Sequence, residues 1–202
     1  MNTFALIGGG GFANEIKDTI EQNGDHIKGY FDVKKSSINL KYLGDDKNIN
    51  RMKNCIDYFF LAVGATDSKS LQFRKNLINK LKKNKIIFKS IISKHAQVSK
   101  SAKISRGTYV GSGVIIGPNV KIGSNSIISM NSVISHDTQI GSNVSIFPLS
   151  AISGNVNIKN DVIIGTGSKI IHGINISSNV IISIGSNIFN DIKKNKTVFL
   201  RN

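Results

Sequence analysis

The side chains in this sequence best suited to moving a proton near neutral pH are its four histidines: His26, His95, His136 and His172. His136 is followed at once by an acid, Asp137, inside the run Ser132-Val-Ile-Ser-His-Asp-Thr-Gln-Ile-Gly141. An exposed imidazole can work as a general base, and a nearby carboxylate can fix its tautomer and stabilise the imidazolium. Adjacent residues on a strand point to opposite sides, so two readings stay open: Asp137 orients His136, or it is a turn residue and the orienting acid comes from another chain. A second candidate lies near the start, where Phe4-Ala-Leu-Ile-Gly8 runs into Gly9, Gly10 and Gly11 and then Phe12-Ala-Asn-Glu-Ile-Lys-Asp-Thr-Ile20. A strand, a glycine loop and a helix start can present backbone N–H groups and the helix dipole to an anion. Ala13 stands where the strict dinucleotide fingerprint has its third glycine, an allowed variant. The single cysteine, Cys55, excludes a disulfide framework and a cysteine metal site and fits a reducing compartment.

What must position His136 is a repeat. From Ile92 to Ile188 every sixth residue is Ile or Val, and two positions earlier stands a small or β-branched residue such as Ala102, Thr108, Val120, Ser132, Thr138 or Ser168, with only Ile174 bulkier. A period of six is neither helical nor a simple alternation. It describes a prism of three flat faces, six residues per face, with one aliphatic side chain per face filling the axis and the small one near a corner. One coil is then 18 residues, and the run from 92 to 188 makes a little over five turns. Turns are expected where glycine follows the aliphatic residue, at Gly111, Gly117, Gly123, Gly141 and Gly165. A long helix is excluded, because six-residue spacing would spiral around it and the Gly and Asn density would break it.

His136 and His172 occupy the same hexad position 36 residues apart. That places them on one side of the prism two turns apart, roughly 9.6 Å along the axis. Zinc sits about 2.0–2.1 Å from each nitrogen, so the spacing excludes chelation of one ion by this pair within one chain.

Composition changes near residue 90. Upstream are mixed charges and aromatics; downstream the chain is rich in Ile, Ser, Asn, Gly and Val. The reading therefore divides the chain into an α/β domain, residues 1–90, and a parallel β-helix, residues 91–202. In the first, Ile27-Lys-Gly-Tyr-Phe31 is a strand ending at Asp32, the carboxyl end where an α/β sheet positions a sugar-hydroxyl acceptor. Tyr42-Leu-Gly-Asp-Asp46 reads as a turn, Asp57-Tyr-Phe-Phe-Leu-Ala-Val63 as a buried strand ending at Gly64, and residues 71–83 as a helix carrying Arg74 and Lys75. This order implies a small parallel, Rossmann-like sheet. It is too short for a full dinucleotide domain and suits a mononucleotide, that of a nucleotide-activated sugar.

The net charge is +15, divided into +7 for residues 1–90 (16 basic, 9 acidic) and +8 for residues 91–202 (11 basic, 3 acidic). Two readings stay open: solvated lysines, or attraction of polyanionic small molecules. Nucleic-acid binding would need a clustered basic face with stacking aromatics, and neither is present. No stretch reaches the ~20 apolar residues of a membrane span, and the start has no basic leader before an apolar run, so the chain reads as cytoplasmic.

Taken together, Ile7-Gly-Gly-Gly-Gly-Phe-Ala13, Asp32, Val63-Gly64 and above all Asn131-Ser-Val-Ile-Ser-His136-Asp137…Ile140-Gly141 resemble the hexapeptide-repeat sugar acyltransferases: the bacillosamine-pathway and perosamine N-acetyltransferases and the sialic acid O-acetyltransferases. The resemblance covers nearly the whole chain. It implies a left-handed parallel β-helix, His136 as general base supported by Asp137, no metal, and a homotrimer with acetyl-CoA lying between neighbouring β-helices. It implies further that Gly154, Thr166 and Gly185 line the pantetheine path, and that Gly8, Gly11, Asp32 and Gly64 meet a nucleotide-activated amino sugar. Two departures stand out. The bacillosamine-pathway members carry a second histidine nine residues after the base, where this chain has Ser145, still a hydrogen-bond donor. The Gly-x-Pro-Ala-Lys ending is absent, and residues 189–202, with Lys193, Lys194 and Lys196, read as a C-terminal cap or extension. Outward Ile115, Ile127, Ile163, Ile171 and Ile181 are too many aliphatics for a lone solvated prism, which favours an oligomer. The expected reaction is acetyl-CoA-dependent N-acetylation of a 4-amino-4,6-dideoxy sugar on a nucleotide, for surface glycan biosynthesis. Sugar O-acetylation and a non-catalytic β-helix scaffold are the alternatives.

Overall fold

A computed structural model describes residues 2–199. Its first part holds a three-stranded parallel sheet in the order β2-β1-β3, from β1 (Thr3–Ile7), β2 (His26–Phe31) and β3 (Tyr58–Leu61). Helix α1 (Gly11–Gln22) follows β1, and its buried face of Ala13, Ile16 and Ile20 is the i, i+3, i+7 stripe written in the sequence. The segment 42–46 is not just a turn: Tyr42 makes a bridge to Tyr30, and Asp45 caps a helix, α2 (Asp46–Met52), accepting from the Lys47 N–H. Its two apolar residues, Ile49 and Met52, are too few to show as a periodic stripe. Helix α3 (Ser68–Lys83) begins three residues before its first apolar position, because Asp67 and Ser70 cap each other's backbone.

From Ile91 the chain is a solenoid of two-residue strands. They stack into three parallel sheets of seven, six and five strands. The first face runs through Tyr109–Val110, Ile127–Ile128, Ser145–Ile146 and Ile163–Ile164, the second through Val133–Ile134 and Ala151–Ile152, the third through Gln139–Ile140 and Asn157–Ile158. Partners in register are 18 residues apart, as in Ile128↔Ile146 and Ile134↔Ile152. The axial ladder forms one continuous buried cluster from Val110 to Ile192. Ile92 belongs to it by sequence but is 37 % exposed. It lies in the first coil, below which no further coil stacks.

The small residue two positions before each axial one does more than fit. Thr108, Ser126, Ser132, Thr138, Ser150 and Ser168 are buried. Each donates its hydroxyl to the carbonyl 15 residues further on, at 2.9 Å for Ser126 to Gly141 and 3.0 Å for Thr138 to Ser153. Every coil is thus tied to the next inside the corner, where an unpaired hydroxyl would cost about 1–3 kcal/mol. The corner itself turns at a left-handed residue once per hexad: Gly107, Gly113, Asn119, Asn125, Asn131, Asp137, Asn143, Leu149, Asn155, Asp161, Gly167, Gly173, Asn179 and Gly185. Gly, Asn and Asp tolerate that conformation best. The glycines expected to turn the chain, Gly111, Gly117, Gly123, Gly141 and Gly165, have a different job. None has positive φ, and a Cβ on each would come within 2.5–2.9 Å of the coil above.

Of the two readings, residues 189–199 are the extension: they continue the solenoid. Ile192 pairs with Ile176, and Thr197–Val198 with Ile181–Ile182. This turn is two residues short, and Asp191 closes it by accepting from the Asn175 backbone and side chain at 2.8 and 3.2 Å. The rest of the proposed cap or extension, residues 200–202, lies outside the described residues.

The α/β unit docks on the first face. Ile91, Tyr109 and Ile127 join the cluster of Phe4, Ala13, Ile16 and Phe60, and Ile163 packs with Ala65 and Leu71. Three of the five outward isoleucines that pointed to an oligomer, Ile127, Ile163 and Ile181, are therefore covered by the chain itself, while Ile115 and Ile171 remain exposed at 42 % and 40 %.

Candidate active site

His136 sits at the corner between the second and third faces, between the strands Val133–Ile134 and Gln139–Ile140. Asp137 next to it is a left-handed residue, φ 60°. That conformation bends the chain so that the two neighbouring side chains no longer diverge as on a strand. Asp137 Oδ2 lies 2.8 Å from His136 Nδ1, so a carboxylate of the same chain reaches the imidazole, and the expectation of divergence fails. Asn119, one coil below, donates to the other carboxylate oxygen at 3.0 Å. Hydrogen bonds from His136 and then Asn119 hold the Asp137 carboxyl below the usual carboxylate range. An ionised carboxylate only accepts, so Nδ1 carries the hydrogen and Nε2 keeps its lone pair.

That Nε2 lies over Gly154, one coil above: a Cβ there would fall 2.6 Å from both Nε2 and Cε1. Beyond the glycine stands His172, its ring centre 6.3 Å from that of His136. The axial estimate of roughly 9.6 Å spans the coils and does not hold for the rings, because the His136 ring leans into the space beside Gly154. Exposure of the dyad is high, 56 % for the His136 side chain and 51 % for Asp137.

The other residues picked from sequence lie elsewhere on the chain. Ser145 is on the first face, 2 % exposed, under the α/β unit. Thr166 and Gly185 share the corner between the first and second faces, where the Thr166 carbonyl accepts from the Gly185 N–H at 2.8 Å. One chain does not bring them to His136. The four glycine-loop and carboxylate residues also divide into two groups. Gly8 and Asp32 line a cavity of about 280 Å³ with Ile7, Val33, Phe73 and Asn76. Gly11 and Gly64 line one of about 310 Å³ between the two units, with Glu15, Thr66, Ser145 and Phe147.

The glycine loop is shaped by contact. Gly8 has φ 107°, and a Cβ there would meet Val63 and Ala62 at 2.7 and 2.8 Å. Asp32 accepts from the Gly9 and Val33 N–H groups at 2.8 and 2.7 Å, which fixes its carboxylate at the sheet edge. Helix α1 starts at this loop without a side-chain cap and without an acid in its first turn, so its positive end is uncompensated. In the second cavity Glu15 Oε1 and Ser145 Oγ are buried without partners. Burial pushes the Glu15 carboxyl up, against a hydrogen bond from Tyr109.

The sequence reading did not single out Asn119, Glu15 or Phe73. The 18-residue interval from Asn119 to Asp137 is a signal that could have found the first. The other two depend on how α1 and α3 dock.

Comparison with known proteins follows this geometry. Residues 3–81 match the PglD N-terminal domain, and residues 101–136 the bacterial transferase hexapeptide of six repeats. No curated protein matches the chain. Among solved structures, PerB from Caulobacter crescentus, in complex with CoA and GDP-perosamine, is 25 % identical, with a TM-score of 0.88 over 95 % of this chain and 91 % of that one. A mutant of the GDP-perosamine N-acetyltransferase from the same organism is 23 % identical, with a TM-score of 0.90 over 98 % and 93 %. The acetyltransferase domain of PglB from Neisseria gonorrhoeae, in complex with acetyl coenzyme A, is 23 % identical, with a TM-score of 0.89 over 97 % and 95 %. The hexad prism is the hexapeptide-repeat left-handed β-helix. With its match to the PglD N-terminal domain as well, the chain is similar to the sugar acetyltransferases among those structures. Among the described residues no helix is long and apolar enough to cross a membrane.

Proposed function

We propose that the protein transfers an acetyl group from acetyl-CoA to the amine of a nucleotide-linked 4-amino-4,6-dideoxy sugar. The observation that carries this reading is the His136–Asp137 dyad: Nδ1 is held at 2.8 Å by a carboxylate, and Nε2 keeps an available lone pair. PerB, solved with CoA and a nucleotide amino sugar, supports the substrate class. The cavity at Gly8 and Asp32 has the size and apolar lining for a nucleobase, and the uncompensated start of α1 suits phosphate.

In the reaction the sugar nitrogen attacks the thioester carbonyl carbon while His136 Nε2 takes the proton from that nitrogen. Asp137 stabilises the resulting imidazolium. The tetrahedral intermediate collapses by breaking the C–S bond, and the imidazolium returns its proton to the CoA thiolate. Neither a metal nor a covalent enzyme intermediate enters. Thr166 and Gly185 stand at another corner of the prism and Ser145 is buried on the first face, so roles for them along CoA, including oxyanion donation by Ser145 from the cavity it lines, require a neighbouring copy. A trimer would supply it, and the exposed Ile115 would lie within its contacts.

The test is free-thiol release from acetyl-CoA with UDP-, GDP- and dTDP-linked 4-amino-4,6-dideoxy sugars and with free sialic acid. Release with one amino sugar, reduced roughly 10²–10⁴-fold in His136→Ala, supports the proposal. Release with sialic acid alone replaces it with O-acetylation. Silence with every substrate, or full activity in His136→Ala, removes the chemistry assigned to the dyad.

A further inference from the structure

We propose that His136 and His172 form a binding site for a late divalent transition metal of the Zn²⁺ type, at the same nitrogen that serves as the base. Four observations converge on it. The two histidines hold one corner position on coils n and n+2, and the position between them is Gly154. Gly154 has no positive φ, so its backbone does not require glycine. What requires it is the His136 ring, which occupies the space of a Cβ at 2.6 Å.

The ring centres then stand 6.3 Å apart. An ion about 2.0–2.1 Å from one nitrogen of each ring, each nitrogen about 1.1 Å from its ring centre, holds two imidazoles with centres roughly 5–6.5 Å apart. A tetrahedral ion sets the centres near the lower end of that range, about 5 Å, so a side-chain rotation closes roughly 1 Å before one ion is shared. The third observation is the outer partner. Metal-bound histidines donate their other ring N–H to a carboxylate, which fixes the tautomer and raises ligand basicity, and Asp137 already accepts from His136 Nδ1 at 2.8 Å. The fourth is access: both histidines are exposed, so water completes the coordination shell. Among the described residues no third protein ligand joins them, which makes the site open and of modest affinity. Imidazole favours Zn²⁺, Cu²⁺ and Ni²⁺ over Mg²⁺ or Ca²⁺.

A bound ion takes the Nε2 lone pair. On the reading of His136 as general base, which this consequence rests on, metal and proton compete for one nitrogen, and the metal acts as a reversible inhibitor.

The experiment titrates Zn²⁺ into the chelator-treated full chain and follows the histidine ring signals by NMR beside calorimetry. Saturable binding, with signals of His136 and His172 shifting ahead of His26 and His95, is expected. Removal of one of two ligands in His172→Ala should weaken binding roughly tenfold or more, and Asp137→Asn should weaken it about 10–100-fold. Equal affinity in His172→Ala, an equal response of all four histidines, or no saturation overturns the site. Binding with these signatures but without loss of transferase activity upholds the site and removes His136 from the base role, so the two readings fail separately.

Discussion

Two corners of this prism are built alike and serve different ends. At the corner between the second and third faces, Asn119 donates to Asp137 one coil above at 3.0 Å; at the corner between the third and first faces, Asn143 donates to Asp161 one coil above at 2.8 Å. All four residues are left-handed. At the first corner the carboxylate is exposed and holds an imidazole. At the second, α3 lies on top: Lys75 pairs with Asp161 at 2.7 Å, and the fully buried Arg74 donates to Asn143 Oδ1, and to the carbonyls of Asn125 and Val63 at 2.7 Å each. Burial brings the Arg74 guanidinium to about 10, still charged at neutral pH. The same ladder is a fastener where another element covers it and holds an exposed imidazole where none does. Through the Val63 carbonyl the fastener also holds the loop 63–66, which borders both cavities.

The comparison breaks most directly at Arg74. Arg74→Ala leaves three acceptors unpaired inside the interface and should cost about 3–5 kcal/mol. Chemical denaturation should then show the α/β unit separating from a solenoid that still unfolds at its own midpoint. A single unchanged transition would mean the covered corner is not the fastener.

At the exposed corner the effects move from stability to activity. Gly154→Ala pushes the His136 ring from its place, and a displacement of about 1 Å near the chemistry can cost roughly 100-fold in turnover. Stability should hold or rise by about 0.4–1 kcal/mol, since the backbone there suits alanine. Turnover equal to the parent would show that ring placement is not set by the glycine.

Asn119→Ala sharpens the comparison through pH. The Asp137 carboxyl is lowered in the folded chain, first by His136 and then by Asn119. Its support is therefore complete above the ordinary carboxylate range and is lost as pH falls through the lowered folded value. Removing Asn119 should move that acid limb of the rate profile upward, and an unmoved limb would assign the lowering to His136 alone.

The smallest effect is at Leu149, a bulky residue at a left-handed position, φ 61°, and 62 % exposed. Leu149→Asn should raise stability by about 0.5–1 kcal/mol, read from the denaturation midpoint.

Much of the solenoid was legible because each hexad repeats one local solution. Side-chain direction and corner conformation are short-range properties, so a period of six in Ile and Val fixes the axis, the 18-residue coil and the corner placement of His136. Asn119 and Asp137 share that legibility, being one coil apart. The end of the repeat was harder to read, because the last turn drops two residues and replaces the hexad contact with the Asp191 carboxylate.

The sequence by itself determined which residues share a face, a corner or the axis. Tertiary structure decided what meets across those positions: the lean of His136 over Gly154 toward His172, the burial of Arg74 among Asn125 and Asn143, and the covering of Ile127 and Ile163 by the α/β unit. The reason is physical. A repeat specifies backbone and outward direction coil by coil, whereas the tilt of a ring into an empty Cβ position and the docking of α1 and α3 depend on groups tens of residues away in sequence.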